Sequence, residues 1–142
     1  MIYKFMKEAL EAAEAARKRG NVPVGAVITY ENKIIARGEN GPDAVSHAEL
    51  EAIRNALAVT GGRNLSGCDI YVTLEPCPMC TGAIINSRIP TVVFGARDAV
   101  TGSCGSVIDL FSESYGHRPA VFPGVLQNES SALLKDFFKS KR

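Results

Sequence analysis

A prevailing sign of charge is the first thing this sequence lacks: 16 lysines and arginines stand against 15 aspartates and glutamates, a net +1 over 142 residues. A dedicated nucleic-acid coat is normally clearly basic, so composition makes no global case for DNA or RNA, and any RNA contact has to be local. Long apolar runs are missing too. The opening Met1-Ile2-Tyr3-Lys4-Phe5-Met6-Lys7-Glu8 contains no uninterrupted one, and no later segment approaches membrane-spanning length. The expectation is a cytoplasmic protein without membrane contact. Cysteine is sparse, four in all, and without a leader-like segment the Cys77/Cys80 pair favours reduced thiolates over disulfides. Cys68 and Cys104 then remain free thiols. There is no internal repeat, low-complexity tract or linker, so residues 1–142 read as one domain, long enough to bury roughly two-thirds of its unfolded surface.

What is present is 46% hydrophobic and 22% charged, ordinary for a globular chain. Residues 4–19 carry Met6, Ala9, Leu10, Ala13 and Ala16 at helical spacing, and Gly20 ends the run. Val22 to Tyr30 and Lys33 to Gly38 read as two antiparallel strands joined at Glu31-Asn32. After the turn chemistry of Asn40-Gly41-Pro42-Asp43, a helix is expected from Ser46 to about Thr60, stopped by Gly61-Gly62. Cys68 to Glu75 is a strand with bulk on both faces: Ile70, Val72 and Leu74 on one, Tyr71 and Thr73 on the other. Pro78 suits a first helical turn, and the helix through Arg88 leads into Thr91 to Ala96. Strand, helix and strand imply a parallel crossover, which puts the start of the Cys77/Cys80 helix near the carboxyl ends of the strands. Residues 97–117 are glycine- and serine-rich; Pro119 to Phe122 reads as a last short strand and Ser130 to Lys139 as a closing helix.

The chemistry concentrates in Leu74-Glu75-Pro76-Cys77-Pro78-Met79-Cys80 and Ser46-His47-Ala48-Glu49. Cys77 and Cys80, at i and i+3, project from nearly the same side of a helix, where one tetrahedral zinc ion can bridge both sulfurs. His47 supplies a third ligand. Three protein ligands leave a fourth position for water, the mark of a catalytic zinc. Glu49 lies about 40° from Ile53 on a helical wheel, close to Ala52 and Ala56, and so points inward. Each piece has a milder reading by itself. Ser46-x-x-Glu49 fits a capping box, a single histidine can be structural, and Cys-x-x-Cys can be a redox pair or half of a zinc finger. A closed site using Cys68 or Cys104 also stays open, although no second paired motif supports one. Taken together they read as a site in which zinc lowers the pKa of its water toward about 7 and Glu49 takes that proton, delivering protons first to a ring nitrogen and then to departing ammonia. Gly25, Gly82 and Gly95 read as permitting close packing, and Pro76 and Pro78 as setting the turn.

His47-Ala48-Glu49 with Pro76-Cys77-Pro78-Met79-Cys80 resembles the H-x-E and P-C-x-x-C signature of the zinc-dependent cytidine deaminase superfamily. Val22 to Val27, Tyr71 to Cys77, Ser87-Arg88-Ile89, Val93 to Asp98 and Phe137-Phe138 extend the resemblance over nearly the whole chain, toward the bacterial tRNA-specific adenosine deaminases. That resemblance implies a three-layer α/β/α sandwich with a five-stranded mixed sheet, cytidine deaminase-like. It implies a homodimer that acts on the tRNA anticodon stem-loop and turns the wobble adenosine into inosine. His47, Cys77 and Cys80 would bind one Zn2+ per chain, Glu49 would shuttle protons, and Asn40 would hydrogen-bond the flipped base. The sequence departs from the family in a shorter loop between Asn40 and His47, in Asp43-Ala44-Val45-Ser46 before the histidine, in Val100 where lysine is common, and in Gly116 before His117. Lys135, Lys139, Lys141 and Arg142 form a candidate local patch for RNA backbone. Two other readings stand beside the tRNA one: a deaminase of a free base or nucleoside such as guanine or cytosine, and a catalytically silent zinc-stabilised RNA-binding subunit, against which the presence of Glu49 argues.

Overall fold

The computed structural model describes residues 1–141. Along them lie α1 (Ile2–Lys18), β1 (Gly25–Tyr30), β2 (Lys33–Glu39), α2 (Ala48–Thr60), β3 (Cys68–Leu74), α3 (Pro78–Asn86), β4 (Thr91–Ala96), β5 (Ala120–Phe122) and α4 (Gln127–Ser140), with one 3-10 turn at Leu110–Ser112. Arg142 of the candidate basic patch lies outside the described residues. The expected hairpin closes through Glu31 and Asn32, both at positive φ (49° and 62°), as a tight turn between antiparallel strands requires. The five strands form one sheet in the order β2-β1-β3-β4-β5. β1 runs antiparallel to β2 and β3, while β3, β4 and β5 run parallel, so the sheet is mixed.

Alternation along the inner strands sorts the core into two layers. Ala26 and Ile28 of β1, Ile70 and Val72 of β3, and Val92 and Phe94 of β4 face one way and pack with Ala52 and Ile53 of α2 and Ile84 of α3. Val27, Tyr71 and Val93 face the other way, onto Phe5, Met6 and Ala9 of α1. The result is the α/β/α sandwich. Each large side chain removed from water here contributes about 1.5–3 kcal/mol, which is why strands covered on both faces need bulk at every position. Close approach of the helices is built into the glycines of the hairpin. A Cβ on Gly25 would sit 2.5 Å from Ala13 N of α1, and one on Gly38 2.6 Å from Ala52 N of α2. Gly95 is likewise crowded, with Ser130 Oγ at 2.5 Å from a Cβ placed there, but Gly82 faces open space and serves no close packing.

Several boundaries differ from those expected, each for a local reason. Val22-Pro23-Val24 lies outside β1, turned by a hydrogen bond from Val24 N to Val22 O (2.8 Å). α1 ends at Lys18, and Gly20 follows at φ 84°. α3 stops at Asn86 because Arg88 takes φ 61°, which no helix continues. α4 begins at Gln127, ahead of the expected Ser130. α2 begins at Ala48 instead of Ser46, a shift that removes the capping box. Ser46 Oγ donates to Asp43 Oδ2 at 2.7 Å, so its hydroxyl belongs to the preceding turn. The cap comes from a distance: Asn40 Oδ1 accepts the Ala48 N–H at 2.8 Å.

Candidate active site

His47 and Cys77 hold the same structural position in two different helices. Each is the residue before the first helical turn, His47 for α2 (φ −95°, ψ 146°) and Cys77 for α3 (φ −77°, ψ 175°), and neither side chain caps its own helix. Imidazole and thiol are poor caps, and both side chains turn toward each other instead. His47 Nδ1 lies 3.5 Å from Cys77 Sγ and 3.4 Å from Cys80 Sγ. Zn–S and Zn–N bonds meeting tetrahedrally separate such donors by about 3.6 Å, so the spacing of the three atoms fits a single zinc ion. Their ligand atoms all fall within 4.8 Å of one another, and among the described residues no fourth histidine, cysteine or carboxylate belongs to the group. Cys104, a candidate fourth ligand by sequence, instead places its sulfur 3.6 Å from the Thr81 hydroxyl in the core, where burial pushes its thiol up to about 12. All four cysteines are free.

The two site thiols divide sharply. Cys77 is drawn down to about 5 by hydrogen bonds from the Cys80 side chain and backbone N–H and by the neighbouring His47, while Cys80 is pushed up because it donates to Cys77 inside a buried pocket. A divalent cation held by both sulfurs would favour the thiolate form of each. Glu49, 4% exposed, sits on the inner face of α2 as its wheel position predicts. Burial raises its carboxyl to about 7, and the charge of Cys77 adds to the shift. A carboxyl balanced near neutrality can both take and return a proton.

Asn40, His47, Glu49 and Cys77 line a cavity of about 50 Å³, room for solvent beside the three donors. Larger clefts flank it. One of about 390 Å³ shares Asn40 and His47 and runs past Gly41 to Ala44; another of about 400 Å³ shares Leu74, Asp98 and Thr101 and runs out past Val100 to Phe138. The sequence reading missed the second wall, Asp98 and Thr101, and it missed Glu75, whose carboxylate is 2% exposed and faces the same cavity. Thr73 and Leu74 alternate normally before it, and only the polar residue ending an apolar strand hinted that Glu75 has buried partners. Elsewhere, His117 is occupied away from the site, its Nε2 2.7 Å from the Ile89 carbonyl.

Comparison with known proteins places this geometry in context. Residues 2–96 match the family model for the cytidine and deoxycytidylate deaminase zinc-binding region. The tRNA-specific adenosine deaminase of Bacillus subtilis is 41% identical over 97% of this chain and 89% of its own length. A solved structure from a study of A-to-I editing by tRNA:A34 deaminases at the wobble position of transfer RNA superposes with a TM-score of 0.88 at 40% identity, over 92% of this chain and 99% of the other. A guanine deaminase from Nitrosomonas europaea superposes at 0.75 and 26% identity, over 95% and 83%. With the signature residues, the sheet order and the His/Cys/Cys cluster all in agreement, the chain belongs to the cytidine and deoxycytidylate deaminase family of zinc-binding proteins.

Proposed function

We propose that residues 1–142 form one zinc-dependent hydrolytic deaminase that converts the wobble adenosine of a tRNA anticodon to inosine, as a cytoplasmic homodimer with one zinc per chain. The observation that carries the reading is the convergence of His47, Cys77 and Cys80 beside a buried Glu49 in a cavity with space for solvent. The relatives named for tRNA adenosine, similar over nearly the full chain, supply the substrate class. No helix among the described residues is long and apolar enough to cross a membrane.

His47, Cys77 and Cys80 would hold the zinc ion, whose chemistry would be to supply water activated for attack near neutral pH. Glu49 does the proton work. Its carboxylate takes a proton from the attacking solvent and passes it to the ring nitrogen of the base; it then takes the second proton, from the hydroxyl now bound to the ring carbon, and gives it to the amine, so that the C–N bond breaks, a carbonyl forms and ammonia leaves. Asn40 orients the base: with Oδ1 committed to the Ala48 N–H, its amide nitrogen is the group that donates to an acceptor on the ring. The clefts on either side give the flanking nucleotides somewhere to lie, which a free base does not need. Exposed Lys135 and Lys139 on α4, and Lys141 just after its end, can meet phosphates.

A free-base deaminase is the second reading, favoured by the likeness to the guanine deaminase fold. The test is incubation of the zinc-loaded protein with anticodon stem-loop RNA, followed by inosine detection, beside ammonia release from free guanine and cytosine. Inosine supports the tRNA reading; ammonia from a free base with no inosine overturns it. Glu49→Ala should keep zinc and fold while turnover falls by about two to four orders of magnitude, and unchanged turnover removes Glu49 from the mechanism.

A further inference from the structure

Glu75 is a buried carboxylate that the chemistry above does not use. It has no cationic partner among the described residues; its four hydrogen bonds come from one segment of chain. Oε1 accepts the Asp98 N–H (3.1 Å) and the Ser106 hydroxyl, while Oε2 accepts the N–H groups of Cys104 (3.0 Å) and Ser106 (3.1 Å). Both ends of residues 98–106 are thus gathered on one side chain, two residues before Cys77. The middle of the segment is shaped around it. A Cβ on Gly102 would lie 2.5 Å from the Glu75 carboxyl carbon, so glycine there admits the carboxylate. Asp98 passes the constraint on: its Oδ1 accepts the N–H groups of Val100 (2.9 Å) and Thr101 (3.2 Å), and its Oδ2 accepts the Thr101 hydroxyl (2.9 Å). Asp98 and Thr101 form the wall of the cavity that also holds Asn40, Glu49 and Cys77, and of the cleft that opens from it.

We propose that Glu75 is a positioning residue for the deamination reaction: it fastens the Asp98–Thr101 wall to the strand that enters the Cys77 turn, and so sets how tightly substrate is held, without taking part in proton transfer. This rests on the deaminase reading, and the geometry makes a selective test available. In Glu75→Gln the new amide can turn toward the Ser106 hydroxyl, which is able to accept from it, but the Asp98 N–H beside it cannot. The substitution therefore releases the Asp98 end and leaves the Cys104 and Ser106 N–H bonds in place.

Zinc per chain should equal that of the wild type. Amide exchange at residues 98–101 should quicken while that at 104–106 holds, and KM should rise about five- to tenfold, the effect of one orphaned hydrogen bond, with kcat nearly unchanged. Thr101→Ala should raise KM as well, and the two changes together should be less than additive, because they act through one wall. Kinetics are read as inosine formation on anticodon stem-loop RNA and as ammonia release from free guanine. A wild type that turns over guanine alone ends the tRNA reading, yet the KM comparison for Glu75→Gln is then made on guanine. Exchange at 98–101 equal to the wild type, additive effects, or a fall in kcat that tracks lost zinc overturns the proposal, the last by making Glu75 an anchor of the metal turn. If Glu75→Gln fails to fold, Ser106→Ala, at an exposed position, cuts one bond to the same carboxylate; a rise in KM of about twofold supports the role and an unchanged KM overturns it.

Discussion

Glu49 shows how the residue proposed for proton transfer would also carry a cost in stability. Its carboxyl is raised from 4.5 to about 7, first by burial. A carboxyl whose folded-state pKa exceeds its unfolded value favours the fold fully below the unfolded pKa, and that contribution is lost as pH climbs through the folded one. In chelator-treated protein, replacing Glu49 by Gln should therefore remove a destabilisation that develops between about pH 4.5 and 7. The measurement is the difference in denaturant midpoint between Glu49→Gln and wild type across that range. Cys77, drawn down to about 5, pushes the wild-type profile the other way, which is why the difference and not the absolute curve carries the information. A midpoint difference that stays flat with pH contradicts the burial argument.

At the level of elements, the starts of α2 and α3 are where local rules yield to the site. Asn40→Ala should cost about 1 kcal/mol by leaving the Ala48 N–H without its acceptor, and should loosen the turn that aims His47. Thermal melting together with a zinc-competition assay would show both losses, and a loss of neither refutes the role. Gly38→Val should be more harmful, because a side chain there drives into the α2 backbone; a drop of about 1–3 kcal/mol in denaturant titration is expected. The strands and the two-faced burial of Ile70, Tyr71 and Val72 were legible because a covered strand must be apolar throughout and a period of two leaves no choice of face. The inward turn of Glu49 and the pairing of Cys77 with Cys80 were legible for the same reason, being local and periodic. The start of α2 was not, since Ser46 satisfied a cap pattern while the actual acceptor, Asn40, arrives from the end of β2. Glu75 was hidden more deeply: its partners lie 23 to 31 residues away, and no short-range pattern encodes them.

For the molecule as a whole, a net charge of +1 means that attraction to RNA has to come from a few residues. Replacing Lys135, Lys139 and Lys141 by alanine should raise KM for the stem-loop RNA and flatten its dependence on salt, with turnover of any free base unchanged; identical salt slopes would place the RNA elsewhere. A metal at this site would also act as a fastening. His47 and Cys77 stand 30 residues apart in sequence and meet at the heads of two helices. An ion held between them closes that length of chain into a ring, as a disulfide would, and a ring of this size restricts the unfolded chain by about 3–4 kcal/mol. Stripping zinc with a chelator should lower the denaturant midpoint accordingly and make residues 61–67, the span between α2 and β3, an early site of proteolytic cutting. The ion that readies water for attack would then double as a reversible cross-link, and a cell short of zinc would lose the enzyme by unravelling as well as by idleness.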